Sequence, residues 1–203
     1  MCTFGKSGMG HSQADKAIAH ERIVAIAAKR FRELGFDGIG VADVMTEAGL
    51  TVGGFYKHFE SRDALVTEAL AASFLDTRPV EFRAKRSLRK AIRDYLSPLH
   101  RDNLGSGCPF TALLSDVGRG NLAIREVYTV RLKSMFDLLE TLLPADIAAA
   151  RRPKIMLLFS ACVGAMGLSR AITDLSLSNE ILDSVADELV QLVTERRAQA
   201  KAA

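Results

Sequence analysis

The residues with the most distinctive chemistry lie together in residues 52–59 of the sequence. Tyr56, Lys57 and His58 are consecutive, and their phenol, ammonium and imidazole groups can each donate a hydrogen bond to a phosphate oxygen. Arg62 follows with a guanidinium group, which forms strong charge-assisted hydrogen bonds to phosphate. This grouping indicates a surface that binds a polyanion.

Two glycines, Gly53 and Gly54, open the same segment. Each costs a helix about 1 kcal/mol relative to alanine, so a purely structural helix would not favour them. Without side chains, the backbone N–H groups at the start of a helix can approach a phosphate or a base edge closely. Phe55 and Phe59 are four residues apart and can both face a core. The pattern predicts a nucleic-acid contact, with a solvated helix face as the alternative.

Upstream apolar patterns predict the helices that position this segment. Gly35 ends a first helix, and Phe36 can fold back onto it. A shorter helical pattern over residues 41–48 ends at Gly49, and Thr51 suits the N-cap of a helix over residues 52–59. Two short helices around such a turn form a helix-turn-helix, whose second helix enters the major groove of DNA. The apolar stripe of the first helix comprises Ile23, Ile26, Ala27, Phe31 and Leu34.

The remaining sequence is helical as well, with single helices predicted over residues 88–100, 109–117, 121–143, 154–173 and 178–198. Alternating apolar runs typical of strands are absent. We predict an all-α fold of about nine helices. A flexible arm occupies residues 1–14, a three-helix DNA-binding domain residues 15–60, a connecting helix residues 61–77, and a larger helical domain for dimerisation and ligand binding residues 78–203.

The composition excludes several other classes of protein. The chain has 203 residues, 48% of them apolar, and a net charge of +3, which is compatible with a polyanionic partner without requiring one. Cys2, Cys108 and Cys162 are widely spaced and the four histidines are scattered, so we expect no disulfide framework, metal site or cofactor. Residues 1–10 lack a secretory signal core, and the apolar run 155–168 is shorter than a membrane span. We expect a cytoplasmic protein without a membrane partner.

Residues 51–65, which read TVGGFYKHFESRDAL, resemble the signature of the TetR/AcrR family of repressors. The similarity extends back through Gly49 and Val44 to Gly35, and it covers about residues 15–75. The resemblance implies a non-enzymatic transcriptional regulator that binds a double-stranded DNA operator as a homodimer and is released by a small effector. Its implied DNA contacts, together with those expected from the residues themselves, are Gly40, Val41, Thr51, Val52, Gly53, Gly54, Tyr56, Lys57, His58 and Arg62.

Two positions depart from the family pattern. Arg62 stands where members usually have lysine, so a phosphate contact is expected with altered geometry. Gly40 and Val41 stand where members often have threonines that bind phosphate. The hydroxyl contact is lost there, although the backbone N–H of Gly40 can still serve. The sequence therefore does not determine which DNA bases the protein recognises.

The last two helices are expected to form the dimer interface, because small residues permit close helix approach and two helices from each chain can form a four-helix bundle. A two-fold dimer would present its recognition helices about 34 Å apart to a palindromic operator. An ordinary intrachain core is the alternative. The predicted interface residues are Ala161, Gly164, Ala165, Leu168, Leu182, Val185 and Leu189.

The effector site is less visible in the sequence, since aromatic and methionine residues at helical spacing are typical of cores as well as pockets. Cys108 precedes a predicted helix whose dipole would favour a thiolate, and some family members sense electrophiles or oxidants through a cysteine in a similar context. A buried, inert thiol is the alternative. The candidate ligand-binding residues for an apolar or electrophilic effector are Tyr95, Cys108, Phe110, Leu114, Met135, Phe136, Met156 and Phe159.

Two further hypotheses compete with the regulator. His100, Asp102 and Cys108 could be imagined as an enzyme's catalytic set, and a helical adaptor without DNA binding would account for Gly40. A basic stretch is either a second polyanion contact or, as we favour, a solvated face. It comprises Arg78, Arg83, Lys85, Arg86, Arg89, Lys90 and Arg93.

Overall fold

The computed structural model describes residues 13–75, 87–143 and 151–194. These ranges form ten α helices and one 3-10 helix, without a strand, which confirms the all-α prediction. The helices are α1 (Gln13–Leu34), α2 (Val41–Glu47), the 3-10 helix (Val52–Lys57), α3 (Arg62–Leu75), α4 (Leu88–Tyr95), α5 (Pro98–Asp102), α6 (Pro109–Ala112), α7 (Leu114–Arg119), α8 (Leu122–Leu142), α9 (Arg151–Ala171) and α10 (Leu175–Thr194).

The N-terminal helices pack as the sequence patterns predict. Helix α1 lies along α3, and α2 packs against both α1 and the 3-10 helix. Gly35 has a φ of +78°, the left-handed conformation of a helix-terminating glycine, and the ring of Phe36 meets that of Phe31 edge-on at 5.5 Å. Gly49 has a φ of +68° and makes the turn after α2. The helix-turn-helix geometry therefore rests on two glycines that the sequence identified.

Three predicted helices differ in the structure. The second helix of the helix-turn-helix is a 3-10 helix instead of an α helix, and its N-cap Thr51 makes no capping hydrogen bond through its side chain. The helix predicted over residues 88–100 breaks at Leu96, because Ser97 caps a new helix by accepting from the His100 N–H and Pro98 cannot continue the old one. The helix predicted over residues 109–117 breaks at Leu113, whose side chain is fully buried.

The core does not divide at the boundary predicted between the DNA-binding domain and the larger domain. Phe74 of α3 contacts Phe110 of α6 at 4.6 Å between ring centroids and Tyr128 of α8 at 6.0 Å. The Tyr128 hydroxyl donates to the backbone oxygen of Phe110 at 3.0 Å. A buried Arg32 on α1 donates to the backbone oxygen of Gly105 at 2.7 Å. The first core thus extends from α1–α3 into α6–α8.

A second core lies between α4, the end of α8, α9 and α10. Helix α9 is long and apolar enough to cross a membrane by length and composition alone, a test that the core helix of a soluble protein also passes. One face of α9 carries buried residues such as Ile155 and Met166, and the opposite face is apolar and uncovered in a single chain. On α8, Val130 is exposed.

Candidate nucleic-acid interface

The 3-10 helix presents the predicted DNA contacts outward from two aromatic anchors. Phe55 and Phe59 are buried, with their rings stacked at 5.4 Å. Tyr56 is 78% exposed, and Lys57 beside it is also exposed. The aromatic pair fixes the helix on the core of α1–α3, while the phenol and the ammonium point to solvent. Thr51, Val52 and Gly53 are exposed at the start of the same helix.

Neither Gly53 nor Gly54 is required by the packing of the protein. A Cβ atom added to Gly53 would meet nothing within 4 Å. One added to Gly54 would lie 3.6 Å from Thr51 Oγ1 and 3.8 Å from Met45 Cε, which are ordinary contacts. Neither glycine has a positive φ. The fold therefore gives no internal reason for the absence of side chains here.

The start of α2 differs from the sequence-based expectation. The backbone N–H of Gly40 donates to Asp43 Oδ2 at 3.2 Å, so it is already bound within the chain. From the sequence, we expected this N–H to be available for phosphate. In the structure it is occupied, because Asp43 stands at the third helical position and its carboxylate accepts the hydrogen bond. Val41 is half-buried against the first core.

Arg62 faces the α1–α2 turn in the structure. Its guanidinium donates to the backbone oxygen of Phe36 and lies 3.4 Å from Asp37 Oδ1. A phosphate contact by Arg62 would require the guanidinium to share or leave these partners. The N–H of Phe36 donates in turn to Asp116 Oδ1 of α7 at 3.4 Å. Both backbone groups of Phe36 are thus held, one from α3 and one from the larger domain.

A cleft of about 210 Å³ lies at this junction between the two domains. Asn121 closes one side by donating to Asp63 Oδ2 at 2.8 Å, and it also caps α8 by accepting from the Ile124 N–H. Sequence reasoning missed Asp116 and Asn121 as residues of the junction, since neither local spacing nor composition shows which distant helix they meet. The cleft lies apart from the predicted effector residues.

Six of the eight predicted effector residues come together around α6. The ring of Phe159 meets Phe110 edge-on at 5.0 Å and Phe136 at 5.5 Å, and Met135 packs against the same cores. The Tyr95 hydroxyl lies 2.7 Å from Thr111 Oγ1. Leu114 and Met156 do not join them: both are exposed, because each lies on the outer face of its helix.

Cys108 belongs to this cluster, but its thiol is not activated. Burial raises the pKa of the Cys108 thiol, and the hydrogen bonds from Tyr95 and from backbone groups of α6 oppose this without reversing it. Helix α6 spans only Pro109–Ala112, so little dipole is available to favour a thiolate. The expected thiolate is therefore a protonated, half-buried thiol at neutral pH. The Cys108 N–H donates to His100 Nε2 at 3.0 Å, which ties its backbone to α5.

The predicted dimer residues divide into three groups by their exposure. Ala165, Leu182 and Leu189 are buried within the single chain, so they belong to the intrachain core and the prediction was wrong for them. Val185 and Ala161 are half-buried. Gly164 and Leu168 lie on the uncovered face of α9. Leu157 is also exposed on this face, although it was not among the predicted interface residues.

Part of the basic stretch forms ion pairs on the protein surface. Lys90 lies 2.9 Å from Asp94, and Arg93 lies 2.7 Å from Asp187 on α10. Arg89 is exposed. These contacts are those of a solvated face. Four members of the stretch lie outside the described residues: Arg78, Arg83, Lys85 and Arg86. Within the described ranges, no three His, Cys, Asp or Glu side chains are grouped to hold a metal ion.

Comparison with known structures gives the same fold. A TetR transcriptional regulator from Chloroflexus aurantiacus J-10-FL aligns with a TM-score of 0.74 and 22% identity, over 91% of this chain and 98% of that one. A TetR-family regulator from Cytophaga hutchinsonii aligns with a TM-score of 0.73 and 18% identity, over 92% and 100%. FadR from Bacillus subtilis, solved with stearoyl-CoA, gives 0.59 and 16%, over 86% and 98%. No match was found among curated protein sequences.

The fold and the exposed segment define an all-α protein with an N-terminal helix-turn-helix, a motif whose second helix enters the major groove of DNA. Residues 23–69 match the family of bacterial regulatory proteins described as the tetR family. These residues run from α1 into α3 and include the whole helix-turn-helix. The match covers about a quarter of the chain, and the likeness to the solved structures, each under 25% identical, extends to the fold.

Proposed function

We propose that this chain is a cytoplasmic, non-enzymatic repressor that binds a palindromic operator as a homodimer and leaves it when a small effector binds. One observation carries the DNA-binding part: an exposed, glycine-opened helix projects Tyr56 and Lys57 from a rigid aromatic base, although the protein's own packing has no need of Gly53. The absent side chain makes sense if another molecule approaches that backbone.

The 3-10 helix is the proposed recognition element. Its start, Thr51 to Gly54, would enter the major groove, where a backbone without side chains approaches the DNA and Val52 can make apolar contact with a thymine methyl group. Tyr56, Lys57 and His58 would bind phosphates on either side of the groove. Asp43 keeps the N–H of Gly40 occupied, so we assign α2 a supporting position and expect its start to contribute little to affinity.

The uncovered face of α9 supports the proposed homodimer. Leu157 and Leu168 are exposed along one side of this helix, and Gly164 between them has open space where a Cβ would lie. Apolar side chains flanking a small residue suit close contact with a second helix. Pairing α9 and α10 of two chains would give a four-helix bundle with two-fold symmetry. Such a dimer would present two recognition helices to successive major grooves.

The aromatic cluster around α6 is the proposed effector site. Phe110, Phe136 and Phe159 provide an apolar lining, and the relative FadR was solved with an acyl-CoA. An apolar or electrophilic effector would separate these rings and favour a dimer whose recognition helices no longer fit the operator. It can shift that balance only through its different affinity for the two states. Because the pKa of the Cys108 thiol is raised, we favour an apolar effector over an electrophilic one.

Selection of binding duplexes from random DNA by the full chain, followed by affinity measurements over a range of salt concentrations, tests the DNA-binding proposal. Tyr56→Ala combined with Lys57→Ala should reduce affinity at least tenfold. The slope of log affinity against log salt concentration should fall in magnitude by about 1, since one fewer lysine contacts a phosphate. Arg125→Ala on the exposed face of α8 is the matched control and should change neither. Unchanged affinity in a folded double variant would refute the proposal, and recovered sites without dyad symmetry would refute the palindromic operator.

A further inference from the structure

Two histidines from different helices meet beside the recognition element. His20 on α1 stacks on Phe59 with ring centroids 4.5 Å apart, and its Nε2 lies 2.7 Å from Glu68 Oε2 on α3. The ring of His58, at the end of the 3-10 helix, is 6.1 Å from that of His20. His20 therefore connects α1, α3 and the end of the recognition element through one side chain.

The backbone of His58 is hydrogen-bonded within the chain, whereas one nitrogen of its ring has no hydrogen-bond partner among the described residues. Its N–H donates to the Phe55 oxygen at 2.9 Å, which closes the last turn of the 3-10 helix. Its Nδ1 is buried without a hydrogen-bond partner among the described residues. The ring is half-buried next to the exposed Lys57, on the side of the protein that carries the proposed phosphate contacts.

The charges around His58 oppose its protonation in the free protein. Burial lowers its pKa first, and the neighbouring positive groups His20 and Lys16 from α1 and Lys57 from the 3-10 helix lower it further. Glu68 of α3 faces His20 at hydrogen-bond distance. At neutral pH the ring of His58 is therefore uncharged before DNA arrives.

We propose that DNA binding by this chain is linked to uptake of a proton at His58, with His20 contributing the charge that opposes this uptake in the free protein. The inference rests on the proposed function, because it requires a phosphate to approach the end of the 3-10 helix. A phosphate adds negative charge where the free protein has an excess of positive charge, and so it stabilises the imidazolium. The DNA complex then binds more protons than the free chain does.

The sign of the effect follows from linkage. When the complex binds one more proton than the free protein, affinity rises as pH falls, by up to tenfold per pH unit for one proton. The rise begins near the pKa of His58 in the complex and levels off below its lowered pKa in the free protein. Because the free pKa lies below the ordinary value of about 6.5, the window begins below that value and ends at the pKa of His58 in the complex.

The experiment measures affinity of the full chain for a duplex selected from random DNA, between pH 5.5 and 8 at constant ionic strength. Wild type should bind several-fold more tightly for each unit of falling pH within the window, and His58→Gln should lose this slope. His20→Gln should raise the pH at which free His58 titrates and so reduce the slope. Tyr56→Phe is the matched control: it removes a proposed phosphate contact without changing the charge around His58, so it should weaken binding while the slope persists.

Proton titration of the His58 ring by NMR, with and without the duplex, gives a second readout that needs no folded His58 variant. Its midpoint should move to higher pH in the complex. An unchanged midpoint, or an equal slope in wild type and His58→Gln, overturns this inference and leaves DNA binding standing. A chain that selects no DNA at any pH overturns the proposed function and this inference together.

Discussion

Replacing Gly53 by alanine separates what this position does for folding from what it does for DNA binding. The added Cβ has no neighbour within 4 Å, so the fold should accept it without adjustment. Alanine is favoured over glycine in helices by up to about 1 kcal/mol, and it also restricts the unfolded chain. We expect Gly53→Ala to raise the free energy of unfolding by about 0.5–1 kcal/mol. For a chain of this length, that corresponds to an increase in Tm of about 1–4 °C.

The same methyl group should obstruct a DNA backbone or base edge that approaches the start of the 3-10 helix. We expect affinity for a selected duplex to fall at least tenfold, which is about 1.4 kcal/mol. Thermal unfolding and fluorescence anisotropy measure the two quantities on the same preparation. Gly118→Ala on α7 is the matched control: its added Cβ also has no neighbour within 4 Å, and it should raise stability without changing DNA affinity. A stable Gly53→Ala variant that binds DNA within twofold of wild type would refute the argument.

Further predictions concern α2, the two faces of the C-terminal helices and the Cys108 thiol. Gly40→Thr should increase DNA affinity several-fold over Gly40→Ala by restoring a hydroxyl beside the groove, since φ at this position is −87° and suits any residue; equal binding by the two variants in anisotropy would exclude the effect. Leu168→Glu should convert the dimer to monomers in sedimentation experiments with helix content retained, and an intact dimer would contradict the proposed interface. Leu182→Ala, at 0% exposure, should cost about 2–5 kcal/mol of stability in denaturant unfolding, whereas a loss below 1 kcal/mol would remove it from the core. Because burial raises the pKa of its thiol, Cys108 should react slowly with iodoacetamide at pH 7 and faster only in alkaline solution, as followed by mass spectrometry; rapid labelling at pH 7 would contradict the raised pKa.

Local signals in the sequence were sufficient for the helix-turn-helix. Gly35 and Gly49 mark helix ends because a left-handed residue is a local requirement, and the four-residue spacing of Phe55 and Phe59 is enough to place both on one face. The 3-10 conformation of the recognition segment was not predicted, because helical spacing over so few residues does not distinguish it from an α helix.

Contacts between distant segments could not be predicted from the sequence. An apolar stripe shows that Leu182 must be covered, but not whether its own chain or a second copy covers it. The same limit applies to His20, whose partners Glu68 and Phe59 are visible only once α1 and α3 are packed together. Asp43 could have been anticipated, since a carboxylate three residues after an N-cap commonly accepts from the N-cap N–H.

The aromatic contacts of Phe74 determine where a chimera can be joined if this helix-turn-helix is transferred to the larger domain of another protein. A hybrid cut after α3 would strip this ring of Phe110 and Tyr128 and expose it to water. The same cut would also remove the hydrogen bond from Arg32 to the backbone oxygen of Gly105, which joins α1 to the loop between α5 and α6. A functional chimera therefore has to carry at least α6 and the first turns of α8 along with the helix-turn-helix, so that Phe74 keeps both of its aromatic partners.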